Sequence, residues 1–300
     1  MCKVKVWKQN KFKRNKSMNP HITPSINAGG RLLSFDVPKV MGILNVTPDS
    51  FYSGSRVSGS KAIAERVEGM REEGADILDI GGYSSRPGAE EVSPEEEYSR
   101  LASGLEVVRS VWQEAIVSVD TFRAEVARRC VEEWGVSIVN DIGGGTLDPA
   151  MWDTVADLRV AYVLMHMRGT PKTMGTLTDY KDVSADTLTD LAFRISELRS
   201  KGVSDVIIDP GFGFAKTVEQ NYRLLADLRE FRITGAPVLA GISRKTMIWK
   251  PLGITPAEAA NGTTALNTVA LLNGADILRV HDVRNAVETV KLMELLKNDK

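Results

Sequence analysis

Carboxylate and amide side chains stand at the ends of several short apolar runs in this 300-residue chain. Asp120, Asn140 and Asp209 each close a run rich in valine and isoleucine. Such groups accept hydrogen bonds from N–H donors, and each charge-assisted bond contributes roughly 1.5 to 3 kcal/mol. Their chemistry therefore suits a planar heterocycle rich in N–H groups and ring nitrogens.

Cationic side chains occupy equivalent places in other runs: Arg86, Lys245, Arg279 and His281. Arginine offers a bidentate fork to phosphate oxygens, so this group suits an anion with several oxygens, such as a diphosphate. The hard oxygens of Asn45 and of the loop after it could accept Mg²⁺ carried in by phosphates. No closed metal site made of protein ligands is implied.

Apolar runs alternate with longer amphipathic stretches from Lys39 onward, which is typical of βα units with a parallel sheet. Eight strands are predicted, at residues 39–45, 76–80, 116–120, 137–141, 160–165, 205–209, 237–241 and 277–281. Eight units in about 250 residues favour a single closed (β/α)8 TIM barrel, whose active site forms at the carboxyl ends of the strands. A helix is expected near Leu188 to Lys201. A hairpin over residues 25–33, with Gly29 and Gly30 at its turn, is expected to cap the bottom of the barrel.

The composition excludes several classes of function. The formal net charge of −1 gives no broad attraction to nucleic acid or membranes. Two cysteines and three histidines indicate a reducing cytoplasm and no His/Cys metal site. Residues 1–17 contain seven Lys or Arg and no acid, and we interpret them as a disordered or non-native leader before a barrel domain at 18–300.

Eight segments of the chain resemble, in order and spacing, the motifs of the dihydropteroate synthases, which are pterin-binding TIM-barrel enzymes. They are MGILNVTPDSF (41–51), ADILDIGGYSSRPGA (75–89), VSVDTF (117–122), IVNDIGGG (138–145), VLMHMRGTPKTM (163–174), VIIDPGFGFAKT (206–217), VLAGISRKTMI (238–248) and ILRVHDV (277–283). The resemblance covers the chain from about Pro38 to its end.

The resemblance implies three sets of binding residues at one rim. The pterin set is Asp120, Asn140, Asp209, Phe212, Gly241, Lys245 and Arg279. The diphosphate set is Asn45, Arg86, Arg279 and His281, with Asn45 the protein contact to Mg²⁺. The 4-aminobenzoate set is Ser85, Arg86, Pro87, Phe212, Ser243 and Lys245, with Ser243 able to bond the carboxylate. The catalytic residues implied are Asp120, Lys245, Arg279 and His281.

The implied reaction joins 6-hydroxymethyl-7,8-dihydropterin diphosphate to 4-aminobenzoate in folate synthesis, by an SN1-like path. Sulfonamides are expected to compete with the amine, and a homodimer through late outer helices is expected. Two positions depart from the family pattern, because Tyr83 stands where Glu is usual and Ser53 where a second Asp is usual. Ser85 replaces the more usual Thr. These changes concern the first two loops and leave the pocket motifs intact.

Two other functions share part of this pattern. A pterin-binding methyltransferase would need the ring-binding groups but no residues that bind a diphosphate. Residues 85–87 and 243–245 could bind a diphosphate and therefore favour the synthase. A non-catalytic pterin-binding paralogue is the alternative from another class. Individual residues also have plain structural interpretations. His166 can be a supporting hydrogen-bond partner, and Lys216 and Arg244 can form ion pairs at the rim.

Overall fold

The computed structural model describes residues 23–47, 56–83 and 92–296, with no account of the side chains of residues 56–58. Several predicted features lie outside these ranges: the leader at 1–17, the loop residues Asp49, Ser50 and Ser53, and the site residues Ser85, Arg86 and Pro87.

The described part of the chain begins with a hairpin of two short strands, β1 (Ser25–Ala28) and β2 (Arg31–Ser34), which pair antiparallel. Its turn residues Gly29 and Gly30 have φ values of +62° and +84°, the left-handed region that glycine enters at little cost. The predicted hairpin and its turn are confirmed.

Eight parallel strands then form the barrel. They are β3 (Lys39–Asn45), β4 (Ile77–Gly81), β5 (Ile116–Asp120), β6 (Ile138–Asp141), β7 (Ala161–Met165), β8 (Val206–Asp209), β9 (Leu239–Ala240) and β10 (Ile277–Val280). Neighbouring strands follow the order β8-β7-β6-β5-β4-β3-β10-β9. A bridge between Ile208 and Val238 closes the ring, with the Ile208 N–H donating to the Pro237 carbonyl at 2.9 Å. The predicted TIM barrel is confirmed.

Helices cover the outside of the strands. They are α1 (Arg56–Glu73), α2 (Pro94–Val111), α3 (Ala124–Trp134), α4 (Met151–Leu158), α5 (Val183–Ser200), α6 (Val218–Ala226), α7 (Thr246–Leu252), α8 (Ala260–Leu272) and α9 (Val283–Leu295). α5 begins five residues before the predicted Leu188 because the Asp182 carboxylate caps its first turn, accepting from the N–H groups of Ser184 and Ala185 at 2.9 and 3.0 Å. In the described part of the chain, no helix has the length and apolar character needed to cross a bilayer.

The apolar core has an outer and an inner part. The outer part packs the helices onto the strands, as Leu101, Leu105 and Leu198 do. The inner part lies in the bottom of the barrel, where Ile26 and Phe35 of the hairpin segment pack against Met41 and Ile277 of the strands. The hairpin therefore caps the bottom as predicted, and the carboxyl ends of the strands lie at the opposite rim.

Candidate active site

Arg279 of β10 ties together two carboxylates at the open rim. Its Nε donates to Asp79 Oδ2 and its Nη2 to Asp120 Oδ2, each at 2.6 Å. The Asn140 amide also donates to Asp79 Oδ2, at 3.1 Å. Strand register explains the meeting, because β10, β3, β4, β5 and β6 are successive neighbours whose carboxyl ends share one rim. No binding role was predicted for Asp79, yet it lies at the centre of this network.

Burial sets the charge balance of the network. Asp79 is fully buried, whereas the side chains of Asp120 and Arg279 keep 22% and 19% of their surface exposed. Burial raises the pKa of Asp120, the Arg279 charge opposes that rise, and the neighbouring Asp79 carboxylate adds to it. Burial alone would lower the pKa of Arg279. The charges of Asp79 and Asp120 outweigh burial and raise the pKa of Arg279 above its ordinary value. One guanidinium charge thus faces two carboxylates in a poorly solvated site.

Asp209 and Lys245 stand on the other side of the same opening, near Gly241. A Cβ atom on Gly241 would lie 3.6 Å from Asp209 Oδ2 and 3.7 Å from Lys245 Nζ, so glycine leaves the space between them open. Asp209 Oδ1 accepts the Gly211 N–H at 2.7 Å. Burial raises the pKa of Asp209 against the charge of Lys245, and burial lowers the pKa of Lys245 to about 8 against the charge of Asp209.

The two phenylalanines after β8 occupy different places. The Phe212 ring is fully buried in the outer core, and only its carbonyl reaches the site, accepting from Lys245 Nζ at 2.5 Å. Phe214 is partly exposed, and its ring centroid lies 4.7 Å from Lys245 Nζ. The role of Phe212 in both substrate sites stays a prediction, and Phe214 is an aromatic side chain at the site that sequence reasoning missed.

The Gly211 turn holds these residues at the rim. Gly211 has a φ of +74°, and a Cβ there would lie 2.0 Å from the His166 carbonyl oxygen. Residue 211 must therefore lack a side chain for the loop to pack against the end of β7.

We expect Gly211→Ala to lower the free energy of unfolding by more than the cost of placing an alanine in the left-handed region. That conformation costs an alanine roughly 1 to 2 kcal/mol, and the clash with His166 adds to the cost. Gly202→Ala is the matched control, since Gly202 has a φ of +93° and nothing within 4 Å of its Cβ position. Urea unfolding measures both free energies, and equal losses would contradict the proposed contact.

A buried lysine anchors the same loop. Lys216 Nζ lies 3.0 Å from His166 Nδ1 and donates to the carbonyls of Gly211 and Phe214, both at 3.1 Å. Burial lowers the pKa of Lys216 to about 7, with the Asp209 charge opposing the change. Burial, with Lys216 next, lowers the pKa of His166 to about 2, so the ring is neutral and can accept from the lysine. His166 is thus a hydrogen-bond partner that supports the loop, as in the structural interpretation given above. The hydrogen-bond partners of Lys216 are a ring nitrogen and two backbone carbonyls.

Replacing Lys216 with methionine should flatten the rise of stability with pH. Between about pH 7 and 10.5 the folded protein holds fewer protons on Lys216 than the unfolded chain does, so its unfolding free energy rises with pH. The largest slope that one titrating lysine can give to the unfolding free energy is roughly 1.4 kcal/mol per pH unit. Urea unfolding from pH 7.5 to 9.5 measures the slope. Lys250→Met, which replaces an exposed lysine of α7, is the control. An unchanged slope in Lys216→Met would refute the titration.

Ser243 and Arg244, which precede Lys245, make different contacts. The Ser243 hydroxyl accepts the backbone N–H of His281 at 3.2 Å and lies 2.9 Å from His281 Nδ1. A hydroxyl that donates to Nδ1 leaves the ring proton on Nε2, which is then a donor for an anion. Arg244 forms a two-pronged ion pair with Asp282 at 3.1 and 2.6 Å, as the rim ion-pair interpretation requires. The predicted bond between Ser243 and a substrate carboxylate stays a prediction.

Asn45 is the predicted contact for Mg²⁺. A Cβ on Gly81 would lie 3.6 Å from Asn45 Oδ1 and 3.6 Å from Asp120 Cβ, so the amide oxygen stands at the rim beside Asp120. Within residues 23–47, 56–83 and 92–296, no group of three His, Cys, Asp or Glu side chains is arranged to hold a metal. A single amide oxygen fits a Mg²⁺ that keeps several waters and takes its other oxygens from substrate phosphates.

Tyr83 occupies the position where the family pattern has Glu. Its ring meets Phe122 edge to face, with centroids 5.5 Å apart, and the Arg123 guanidinium carbon lies 5.6 Å and 4.8 Å from the two ring centroids. Arg123 also pairs with the buried Glu97. The substitution therefore places a packed aromatic side chain where the pattern has a carboxylate.

The described site residues converge on one rim, whereas Ser85, Arg86 and Pro87 lie outside the described residues. The rim thus presents acceptors for ring N–H groups beside donors and cations for an anion. Asp141, next to Asn140, is instead enclosed by its glycine loop, accepting from the N–H groups of Gly143 and Gly145 at 2.7 Å each.

Comparison with known proteins identifies relatives with this geometry. A family model described as pterin binding enzyme matches residues 41–281. The dihydropteroate synthase of Synechocystis sp. is 40% identical over 287 residues, which cover 93% of this chain and 97% of that protein. The chain also matches the mitochondrial folate synthesis bifunctional protein of Arabidopsis thaliana, of which it spans about half, 49%.

Solved structures agree with these relatives. The Xanthomonas albilineans dihydropteroate synthase with 4-aminobenzoic acid has a TM-score of 0.83 at 40% identity, covering 92% of this chain and 98% of that one. The Yersinia pestis dihydropteroate synthase in complex with a sulfonamide drug has a TM-score of 0.83 at 35% identity, covering 92% and 100%.

Proposed function

This chain belongs to the pterin-binding enzymes, as a member of the dihydropteroate synthases, and we propose how its own side chains carry out that reaction. The reaction is an alkyl transfer in folate synthesis. The C–O bond between the pterin's exocyclic methylene and diphosphate breaks, a C–N bond to 4-aminobenzoate forms, and the amine loses a proton. The observation that carries the proposal is the convergence of Asp79, Asp120, Asn140, Asp209, Lys245 and Arg279 at one rim.

The pterin ring binds between the two halves of this rim. Asp209 Oδ2 and the Asn140 amide meet ring donors and acceptors, and Lys245 donates to a ring acceptor from beside the Phe214 ring. The carboxylates of Asp79 and Asp120 lie close to the ring and favour a cationic pterinylmethyl intermediate over the neutral substrate, which supports the SN1-like path. Arg279 holds both carboxylates in place before the substrate arrives, so they need little reorganisation during the reaction.

Diphosphate leaves against the cationic side of the rim. Arg279 contacts it through the part of the guanidinium that the carboxylates leave open, and His281 donates from Nε2 while Ser243 holds Nδ1. Asn45 is the protein contact to Mg²⁺, which when bound neutralises part of the charge that develops on the leaving group. Arg86 is proposed to join this set from the loop after β4.

The amine substrate is proposed to bind last, beside Lys245 and Ser243, with Ser85, Arg86, Pro87 and the backbone of Phe212 completing its site. Solved relatives contain 4-aminobenzoic acid and a sulfonamide drug, which supports the binding of such molecules by this family. Sulfonamides are therefore proposed to compete with 4-aminobenzoate here.

We also propose that the protein is a cytoplasmic homodimer that binds neither nucleic acid nor a membrane. The outer helices α8 and α9 present exposed leucines suited to a subunit contact: Leu272, Leu292 and Leu295. Burial raises the pKa of the free thiol of Cys130 to about 12, so this cysteine stays protonated and unreactive.

Diphosphate release tests the reaction class. Protein, dihydropterin diphosphate and Mg²⁺ should release diphosphate when 4-aminobenzoate is added, with 7,8-dihydropteroate formed in equal amount. A methyltransferase or a non-catalytic paralogue would bind the pterin without that release. Pterin binding without amine-dependent release would overturn the proposed function.

A further inference from the structure

A second cleft opens at the bottom of the barrel, at the opposite end of the strands from the rim site. Its volume is about 540 Å³. The hairpin turn at Gly29 forms one wall, and the ends of α2 and α3 with the segments leading into β6 and β7 form the others. Ligand sites commonly enclose 300 to 1,000 Å³, so a small molecule fits this space.

Three arginines line this bottom cleft: Arg31, Arg109 and Arg159. None of its lining residues is Asp or Glu. Among the described residues none of the three forms an ion pair, whereas arginines elsewhere on the surface do, as Arg128 does with Asp157 and Arg232 with Asp276. Three positive charges therefore meet in one concave place without a neutralising carboxylate in its walls.

Arg109 is built into the wall. Its guanidinium donates to four backbone carbonyls, those of Gln113, Ala115, Trp134 and Gly135, at 2.9 to 3.0 Å. These bonds fix the side chain but leave its charge uncompensated. Burial is the main cause that lowers the pKa of Arg109, and the nearby positive charge of Arg31 lowers it further.

We propose that the bottom cleft binds the phosphate group of a small anionic ligand. Arg31 and Arg159 are exposed and offer their guanidinium forks, the group best matched to phosphate oxygens. Gln113 and Ser137 add polar side chains to the wall, and Trp134 adds an aromatic one. The ligand relieves the repulsion between Arg31 and Arg109, which gives binding a source of free energy beyond its own hydrogen bonds.

The ligand comes from outside the chain. Residues 1–17, which precede the hairpin, carry seven Lys or Arg and no acid, so their charge has the same sign as the cleft. A phosphate anion has the opposite sign. Inorganic phosphate and a nucleotide share this chemistry, and the experiment separates them.

The test compares two double variants that remove the same charge. Arg31→Gln/Arg159→Asn empties the cleft of its exposed cations, and asparagine suits the left-handed φ of +53° at residue 159. Lys61→Gln/Arg199→Gln removes two exposed cations elsewhere. Melting temperature is followed against inorganic phosphate and against ADP at constant ionic strength, since a ligand of the folded state stabilises in proportion to its occupancy.

The cleft variant should bind at least tenfold more weakly than the wild type, and the control variant should match the wild type. Tighter binding of ADP than of phosphate would identify a nucleotide, and equal binding would identify the phosphate group alone. Unchanged binding in the cleft variant, or an equal loss in the control, would overturn the proposal. Crystals of the wild-type protein soaked in tungstate give a second measurement. Anomalous scattering should appear beside Arg31 and Arg159, and its absence there would also refute the site.

Discussion

Arg279→Ala should abolish most of the diphosphate release, lowering kcat by roughly 10²- to 10³-fold, the usual cost of removing one preorganised charge from a transition state. The guanidinium is the cation that touches both carboxylates of the rim, at 2.6 Å each. Its loss removes a contact to the leaving group and also frees Asp79 and Asp120 to repel the diphosphate. Single-turnover release of diphosphate measures the step directly.

Stability needs a separate control, because Arg279→Ala leaves a buried carboxylate without its ion pair. Asp79 Oδ1 already has no hydrogen-bond partner among the described residues, so the variant should unfold more easily. Asp79→Asn/Arg279→Ala removes the unpaired charge and should recover stability without recovering turnover. Arg279→Lys should fall between, since a lysine keeps the charge but cannot bridge two carboxylates.

Arg284→Ala is the matched control, an exposed arginine at the start of α9 on the same side of the barrel. It should release diphosphate at the wild-type rate. Near-normal release by a folded Arg279→Ala protein would remove Arg279 from the mechanism.

The sequence predicted the barrel and the meeting of its strand-end residues because the carboxyl ends of parallel strands share one rim. It could not predict which side chains pair there. Asp79, Asn140 and Arg279 lie 61 to 200 residues apart, and only the closed ring makes them neighbours. The contact between Lys216 and His166, 50 residues apart, joins the segments that follow the adjacent strands β7 and β8.

The loop after β8 shows another limit. In the segment DPGFGF, Gly211 and Gly213 both take left-handed φ values, +74° and +79°. Each reverses the chain locally, so alternation along the sequence does not reveal which phenylalanine faces the opening. The structure places the Phe212 ring in the core and Phe214 beside Lys245. Strand β9 is likewise shorter at its start than the predicted 237–241, because Pro237 has no N–H and the Val238 N–H donates to the Asp276 carboxylate at 2.9 Å.

Asp209→Ala should weaken pterin binding by roughly 10²- to 10³-fold, because a buried site made for N–H donors leaves them unpaired when its acceptor is lost. Asp209 Oδ1 is already used by the Gly211 N–H, so Oδ2 is the atom that meets the ring. Asp209→Asn should be milder, since an amide oxygen can still hold Gly211 while the charge and one acceptor are lost. Calorimetry with a dihydropterin that lacks the diphosphate isolates this contact from the cationic side of the rim.

Asp205→Asn provides the control at the opposite end of the same strand. Asp205 precedes β8 at the bottom of the barrel, where its carboxylate accepts the Asn27 N–H at 2.7 Å, and an amide oxygen can accept the same bond. Its pterin affinity should equal that of the wild type. If Asp209→Ala bound the pterin as tightly as Asp205→Asn does, the ring would not lie against β8, and the assignment of Lys245 and Phe214 to its walls would fail with it.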